Sequence, residues 1–167
     1  GIITTNNKKF YNKIKNYRNL GSDKKFIHTQ IGSNSRLDTI QASILNEKLK
    51  LLDSNNNKRI NIAKFYNKNI QNSKITKLNY SKDCVYHQYV ILTKYRKKMI
   101  KKLQNNQIPF GFHYPLSINQ IHSLKTIFRG KKYPYAEKLA REGISIPIDP
   151  NLNKKNLNKI VKVLNTF

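Results

Sequence analysis

The sequence predicts an α/β protein in which helices pack on a small mixed sheet. Strand-like and helix-like segments alternate over residues 85–165, which is typical of a sheet covered by helices. Hydrophobic residues make up 38% of the 167 residues, enough to form a core. Apolar side chains also recur at helical spacing, beginning with Phe10, Ile14 and Tyr17.

The first elements precede residue 37. Residues 1–5 are short, apolar and β-branched, and are predicted to form a strand. Asn6 or Asn7 is predicted to cap the helix that carries Phe10. Residues 18–36 lack clear periodicity and are predicted to be a loop.

Two amphipathic helices are predicted next. The first begins at a capping box formed by Asp38 and Gln41 and runs to about Asp53. The tract Ser-Asn-Asn-Asn at 54–57 is predicted to break it, and the second helix runs to the polar stretch 71–73. The apolar stripes comprise Ile40, Ile44, Leu45, Leu49 and Leu52 in the first helix and Ile60, Ala63, Tyr66 and Ile70 in the second.

The rest of the chain is predicted to supply the sheet and its covering helices. The predicted strands are 85–92, 108–113 and 144–148. The predicted helices are 95–104, 135–141 and a closing helix carrying Leu157, Ile160, Val161 and Leu164. Gly143 stands where a glycine commonly terminates a helix.

The chain is strongly basic, with 33 Lys+Arg against 8 Asp+Glu and a formal charge of +25. Lys, Asn and Ile occur 27, 23 and 21 times, a bias typical of AT-rich coding DNA, so basicity alone argues weakly for nucleic-acid binding. A basic nucleic-acid-binding module is the alternative hypothesis. The charge is scattered over every segment, and we therefore expect no specific nucleic-acid partner.

Apolar runs, cysteine content and Cys/His spacing indicate the cellular compartment and the absence of a predicted metal site. No apolar run approaches the length of a membrane-spanning helix, and residues 1–10 contain no signal-peptide core. The single cysteine, Cys84, cannot form an internal disulfide, which fits a reducing compartment. No Cys/His spacing indicates a metal site. We therefore expect a cytoplasmic protein without a membrane partner.

The most specific signal lies in residues 32–45, Gly-Ser-Asn-Ser-Arg-Leu-Asp-Thr-Ile-Gln-Ala-Ser-Ile-Leu. This segment resembles the G-x-N-x-R-L-D-x-x-Q-A-x-x-L motif of the DegT/DnrJ/EryC1/StrS family of pyridoxal-phosphate-dependent sugar-nucleotide aminotransferases. Segments 1–5, 86–90, 111–115 and 136–148 resemble further family segments in the same order. The residues of the main motif resemble most closely those of members that act on UDP-linked 3-oxo-uronate sugars.

The resemblance implies a position within a larger enzyme. Residues 1–53 would be the tail of the large cofactor-binding domain and its linking helix, and residues 54–167 the C-terminal small domain of a fold-type-I transferase. The family's Schiff-base lysine lies before the segment that matches residues 1–5. We therefore expect the chain to lack that lysine and to be inactive alone. A non-catalytic remnant or a split-enzyme subunit fits the same resemblance.

The resemblance also implies the chemistry of the intact enzyme. Pyridoxal 5′-phosphate would be the cofactor, glutamate the amino donor and a keto sugar nucleotide the acceptor, in the biosynthesis of a surface polysaccharide such as lipopolysaccharide. The enzyme would be a homodimer with an active site that both subunits complete, or the chain would pair with its missing N-terminal half.

Five residues are candidates for this site by resemblance. Asn34 would contact the cofactor phosphate of the neighbouring subunit, and Arg36 the nucleotide-sugar diphosphate, which a guanidinium can bind in a bidentate manner. His113, Tyr114 and His28 would contact the substrate. The alternatives are that Asn34 only stabilises its loop, that Arg36 forms a helix-end ion pair with Asp38, and that His113 and Tyr114 are an ordinary strand-end pair. No catalytic residue and no metal ligand is predicted.

Overall fold

The computed structural model describes residues 1–167 and divides them into two compact units. The N-terminal unit is Gly1–Leu51 and the C-terminal unit is Leu52–Phe167, where the sequence predicted a boundary after residue 53. None of the helices has the length and apolar character needed to span a bilayer.

The N-terminal unit contains two helices and a short hairpin. Its elements are α1 (Lys8–Tyr17), β1 (Ser22–Lys24), β2 (Ile27–His28) and α2 (Thr39–Lys50). The predicted cap of α1 is confirmed at Asn7, because its side chain accepts a hydrogen bond of 3.0 Å from the backbone N–H of Phe10. The strands β1 and β2 pair antiparallel.

Three predictions for the N-terminal unit are wrong. Residues 1–5 form no strand, since Ile2 and Ile3 are exposed and no neighbouring strand pairs with them. The predicted loop 18–36 contains the β1–β2 hairpin. Asp38 does precede α2, but its carboxylate makes no capping hydrogen bond, so the capping box is not formed.

The C-terminal unit is built on a three-stranded sheet. Its elements are α3 (Leu52–Asn69), β3 (Thr76–Lys77), β4 (Tyr89–Leu92), α4 (Arg96–Asn105), α5 (Pro134–Glu142), β5 (Gly143–Ile146) and α6 (Lys154–Asn165). The strand order is β3-β4-β5, with Thr76 opposite Leu92 and Ile91 opposite Ile144. The α/β class is confirmed, although every strand pair is antiparallel where a mixed sheet was predicted.

One continuous core holds the C-terminal unit together. Met99 and Leu103 from α4 and Leu164 from α6 are fully buried, as are Ile91 and Ile144 in the sheet. The predicted apolar faces of α3 and α6 are therefore confirmed, and α4 likewise buries Met99 and Leu103. All four residues of β5 are buried, as expected for a strand covered on both faces.

Element bounds in the C-terminal unit differ from the predictions. The Ser-Asn-Asn-Asn tract at 54–57 lies inside α3, and the chain leaves α2 at Leu51 instead. Helix propensity is a weak determinant, and packing of the following turns outweighs the poor propensity of asparagine. Strand β4 is shorter than predicted, β3 was not predicted, and residues 108–113 form only an isolated bridge at Gly111.

Candidate functional site

The loop that carries Asn34 and Arg36 is fixed by backbone pairing with the end of α1. The N–H of Ser33 donates to the carbonyl of Tyr17 (2.8 Å), and the N–H of Ser35 donates to that of Arg18 (2.9 Å). Asn19 and Asn34 form an isolated antiparallel bridge. These bonds hold the predicted motif against a second polar segment of the same unit.

Two glycines permit this close pairing. Gly21 has a φ of +74°, a left-handed backbone conformation that residues other than glycine rarely adopt. A Cβ on Gly32 would lie 2.1 Å from the backbone N of Gly21 and 2.5 Å from the carbonyl oxygen of Tyr17. The first glycine of the sequence motif is therefore required because two backbone segments pass each other here.

A polar cavity of about 430 Å³ opens beside the paired segments. Its lining residues are Asn12, Lys15, Asn16, Arg18, Asn19, Ser22, Asp23 and Arg36. Three of them are cationic and one is acidic, so the cavity suits an anionic ligand. Arg36 donates through Nη2 to Oδ1 of Asn19, which orients the guanidinium and leaves its other N–H groups available. The predicted alternative, an ion pair with Asp38, is not formed.

Asn34 and His28 lie near this cavity in the chain but do not line it. The side-chain amide of Asn34 is exposed and makes no hydrogen bond within the protein. An amide N–H and a free guanidinium edge in one loop are suitable donors to phosphate oxygens, so the residues fit a phosphorylated cofactor or nucleotide. His28 bonds through Nδ1 to the carbonyl of Leu20 (3.0 Å), which ties the hairpin to the paired segments.

In the C-terminal unit, His113 lines a separate cavity of about 390 Å³ at the end of β5. The lining includes Arg59 from α3, His87, Ser145 and Asp149. Arg59 is oriented by donation from Nη1 to Oδ1 of Asn56 (3.1 Å). A guanidinium and an imidazole on one cavity are again groups that bind oxygen-rich ligands.

His113 is held by a hydrogen bond from its side chain, whereas the Tyr114 side chain makes none and only packs edge-on against the His113 ring. Nδ1 of His113 lies 2.9 Å from Oγ of Ser145. Gly111, two residues earlier, exchanges two backbone hydrogen bonds with Ser145, of 3.0 and 2.9 Å. Tyr114 is 74% exposed and is absent from the cavity lining. The structure thus brings Asn34 and Arg36 together in one unit and places His113 and Tyr114 in the other.

A third basic residue, Arg96, is occupied by structural contacts. Its Nη1 donates to the carbonyls of Ala140 (2.6 Å) and Arg141 (3.0 Å), and the guanidinium stacks over Phe112 at 4.1 Å. Burial lowers the pKa of this guanidinium. Arg96 therefore closes the C-terminal end of α5 and is engaged there.

Sequence reasoning missed Arg18, Arg59 and Ser145. Only 6 of the 33 basic residues are arginine, so an arginine retained in this lysine-rich chain was a usable signal for Arg18 and Arg59. No comparable signal existed for Ser145, because its role depends on the pairing of β5 with Gly111.

The chain is similar in sequence to enzymes of one family. The sequence profile of the DegT/DnrJ/EryC1/StrS aminotransferase family matches residues 1–165. The chain is 31% identical to the dTDP-3-amino-3,6-dideoxy-alpha-D-galactopyranose transaminase of Aneurinibacillus thermoaerophilus, over 100% of the chain and 46% of that protein. It is 28% identical to the UDP-2-acetamido-2-deoxy-3-oxo-D-glucuronate aminotransferase of Pseudomonas aeruginosa, over 98% of the chain and 46% of that protein.

The fold has matching solved structures. That of S. venezuelae DesV in complex with a ketimine intermediate superposes with a TM-score of 0.84 at 26% identity, covering 98% of the chain and 45% of DesV. The chain therefore spans about half the length of the relatives that it matches.

Proposed function

The chain belongs to the DegT/DnrJ/EryC1/StrS aminotransferase family, and we propose that it contributes binding side chains to a sugar-nucleotide aminotransferase. Enzymes of this family depend on pyridoxal 5′-phosphate. The observation that carries the proposal is the orientation of Arg36 on a polar cavity with three cationic residues, beside Asn34 with its free amide. These groups can bind the phosphates that both the cofactor and the substrate carry.

The residues of the N-terminal unit would act as follows. The amide of Asn34 donates to an oxygen of the cofactor phosphate. Arg36 binds the diphosphate of the sugar nucleotide through two parallel N–H bonds, an arrangement that lysine cannot reproduce. Pyridoxal phosphate, when bound, would supply the electron sink that amino transfer requires. His28 is the least supported substrate contact, because its Nδ1 is already bonded to the backbone.

The C-terminal unit would also contact the sugar nucleotide. His113 and Arg59 line one cavity there, and the exposed Tyr114 adds an aromatic surface and a hydroxyl. We propose that Asn34 and Arg36 of the N-terminal unit, and separately His113 and Tyr114 of the C-terminal unit, serve active sites that a second subunit completes in a homodimer. A ligand or partner contact would explain why the amide of Asn34 makes no hydrogen bond within its own chain and why Tyr114 is 74% exposed.

The finer assignments complete the proposal. The amino donor is glutamate, the acceptor is a 3-oxo sugar linked to UDP or dTDP, and the product enters surface-polysaccharide biosynthesis in the cytoplasm. The P. aeruginosa and A. thermoaerophilus relatives support the substrate class by their names. We propose that the Schiff-base lysine is not among residues 1–167. These residues would therefore bind and orient the cofactor and substrate, and the amino group of that lysine would carry out the proton transfer.

The test is a comparison of two conservative substitutions. In Arg36→Lys the positive charge is kept and the planar fork is lost, so we expect binding of UDP-N-acetylglucosamine to weaken by about 1.5–3 kcal/mol. Arg129→Lys is the matched control, because Arg129 is exposed and lies outside both cavities. Titration calorimetry of the two variants and the wild type measures the difference.

The outcome separates specific recognition from general charge attraction. A chain with a charge of +25 attracts any polyanion at low salt, but both variants keep that charge. Equal affinities for the two variants would contradict the assignment of Arg36. In Asn34→Ala, affinity for pyridoxal 5′-phosphate should fall while affinity for the sugar nucleotide is retained.

A further inference from the structure

The hydrogen bond between His113 and Ser145 can run in either direction. Nδ1 of His113 and Oγ of Ser145 are 2.9 Å apart. A neutral imidazole carries its hydrogen on one nitrogen, and a hydroxyl can both donate and accept. Either Ser145 donates and the imidazole carries its hydrogen on Nε2, or Nδ1–H donates and Nε2 is bare.

The burial of Ser145 distinguishes the two arrangements. The residue is 5% exposed, and the Nδ1 of His113 is the one hydrogen-bond partner that the structure gives to its Oγ. Its backbone N–H and carbonyl are both engaged with Gly111. If Oγ accepted from Nδ1, the hydroxyl hydrogen would have no acceptor within the protein, which is unfavourable for a side chain that is only 5% exposed. The hydroxyl hydrogen therefore points at Nδ1.

We infer that Ser145 is a positioning residue that fixes neutral His113 as the Nε2–H tautomer, so that His113 presents a hydrogen-bond donor to the cavity it lines. Gly111 takes part, because a Cβ at this position would lie 2.8 Å from Cε1 of the imidazole. The ring thus has both its space and its hydrogen position set by the bridge between Gly111 and Ser145.

This arrangement determines what His113 can recognise. Nε2 makes no hydrogen bond within the protein and His113 lines the cavity with Arg59. A fixed N–H donor selects an acceptor oxygen, such as that of a carbonyl, carboxylate or phosphate. Resting on the proposed function, the inference gives His113 the role of donor to a sugar-nucleotide oxygen. It excludes neutral His113 as the acceptor of a substrate hydroxyl hydrogen.

Nitrogen-15 NMR of the imidazole groups tests the tautomer directly. Two-bond ¹H–¹⁵N spectra of the labelled full chain, recorded at about pH 9 where an ordinary imidazole is neutral, distinguish protonated from bare nitrogens. The His113→Gln spectrum assigns the signal. His28 provides an internal reference of the opposite kind, because its Nδ1 faces the carbonyl of Leu20, which can only accept.

We expect His113 to carry its hydrogen on Nε2 and His28 on Nδ1. In Ser145→Ala the fixed Nε2–H form of His113 should relax to the mixture of tautomers of a free imidazole, so the share of Nδ1–H should rise, with the His28 signal unchanged. Ser117→Ala is the matched control, since Ser117 is also buried in the C-terminal unit but bonds to Asn119 and Gln120. A bare Nε2 in wild-type His113, or an unchanged tautomer in a folded Ser145→Ala chain, would overturn the inference.

A ligand titration keeps this result separate from the proposed function. Addition of UDP-N-acetylglucosamine should shift the Nε2 signal of His113 in the wild-type chain. A confirmed tautomer without any such shift would contradict the substrate role of His113 and leave the positioning by Ser145 intact.

Discussion

In the C-terminal unit twenty hydrophobic residues are buried, whereas in the N-terminal unit none is. The contrast is clearest between α6 and α2, which both have 12 residues and apolar side chains at helical spacing. Helix α6 buries Leu157, Ile160 and Leu164, while Ile40 and Leu49 of α2 are largely exposed. Two helices of the same length therefore differ in packing, and only α6 concentrates its apolar side chains on one face.

The two units depend on different interactions as a result. The C-terminal unit is stabilised by a core of aliphatic and aromatic side chains, a contribution that grows with the apolar area removed from water. The N-terminal unit depends on backbone hydrogen bonds between its paired loop segments and on the two glycines that permit them. Substitutions should therefore act through different mechanisms in the two units.

The largest expected effect is that of truncating the core. Leu164 is 0% exposed, so Leu164→Ala should reduce the free energy of unfolding of the C-terminal unit by about 2–5 kcal/mol. Leu49→Ala is the same substitution in a helix of the N-terminal unit, at a side chain that is 66% exposed, and should change stability by less than about 0.5 kcal/mol. Urea unfolding followed by circular dichroism compares the two. Similar losses would show that α2 is packed as closely as α6.

A smaller effect is expected from Gly32→Ala, which acts on the N-terminal unit alone. The added Cβ would overlap the backbone of Gly21 and Tyr17, and such overpacking typically costs about 1–3 kcal/mol. Amide hydrogen exchange should accelerate at Leu20, Ser33 and Ser35 and remain unchanged in the core of the C-terminal unit. Gly1→Ala is the control, since nothing lies within 4 Å of that position. Unchanged exchange at Ser33 would contradict the close pairing.

The sequence predicted the helices better than the strands, for a physical reason. A helix satisfies its hydrogen bonds locally, so the apolar periodicity of α4 and α6 was enough to place them. A strand needs a partner elsewhere in the chain. Residues 1–5 have strand-like composition but no partner, and the two-residue β3 exists only because Thr76 and Lys77 pair with β4.

The candidate site could be predicted only in part. The motif at 32–45 identified Asn34 and Arg36, and the structure explains its first glycine by a close backbone approach. Arg59 and Ser145 reach the cavity of His113 from α3 and β5, over fifty and thirty residues away in the sequence. No local pattern encodes such proximity, because it depends on the pairing and packing of the C-terminal unit.

The smallest of the three effects concerns buried tyrosines, which occur only in the C-terminal unit. Tyr66 is fully buried and donates from its hydroxyl to the carbonyl of Pro147 (2.8 Å). Burial raises the pKa of Tyr66 above its ordinary value, and Tyr89 adds to the effect. The pKa of Tyr89 is raised in the same way, by burial and then by Tyr80 and Tyr86. Both hydroxyls are thus held in the neutral form in the folded unit.

The pH dependence follows from the direction of these pKa changes. In the unfolded chain tyrosine loses its proton at about pH 10, whereas the folded unit retains it to higher pH. Below about pH 10 the tyrosine hydroxyls are neutral in both the folded and the unfolded state, and they leave stability unchanged. Above about pH 10 the unfolded state binds fewer protons, so stability falls as pH rises.

Tyr66→Phe should cost about 1 kcal/mol at neutral pH through the lost hydrogen bond, yet it should make the decline in stability above about pH 10 shallower. Tyr17→Phe, at an exposed side chain of the N-terminal unit, is the control and should leave the decline in the C-terminal unit unchanged. Urea unfolding at a series of pH values measures both slopes. An equally steep decline in Tyr66→Phe would show that the buried hydroxyl ionises as readily in the folded unit as in water.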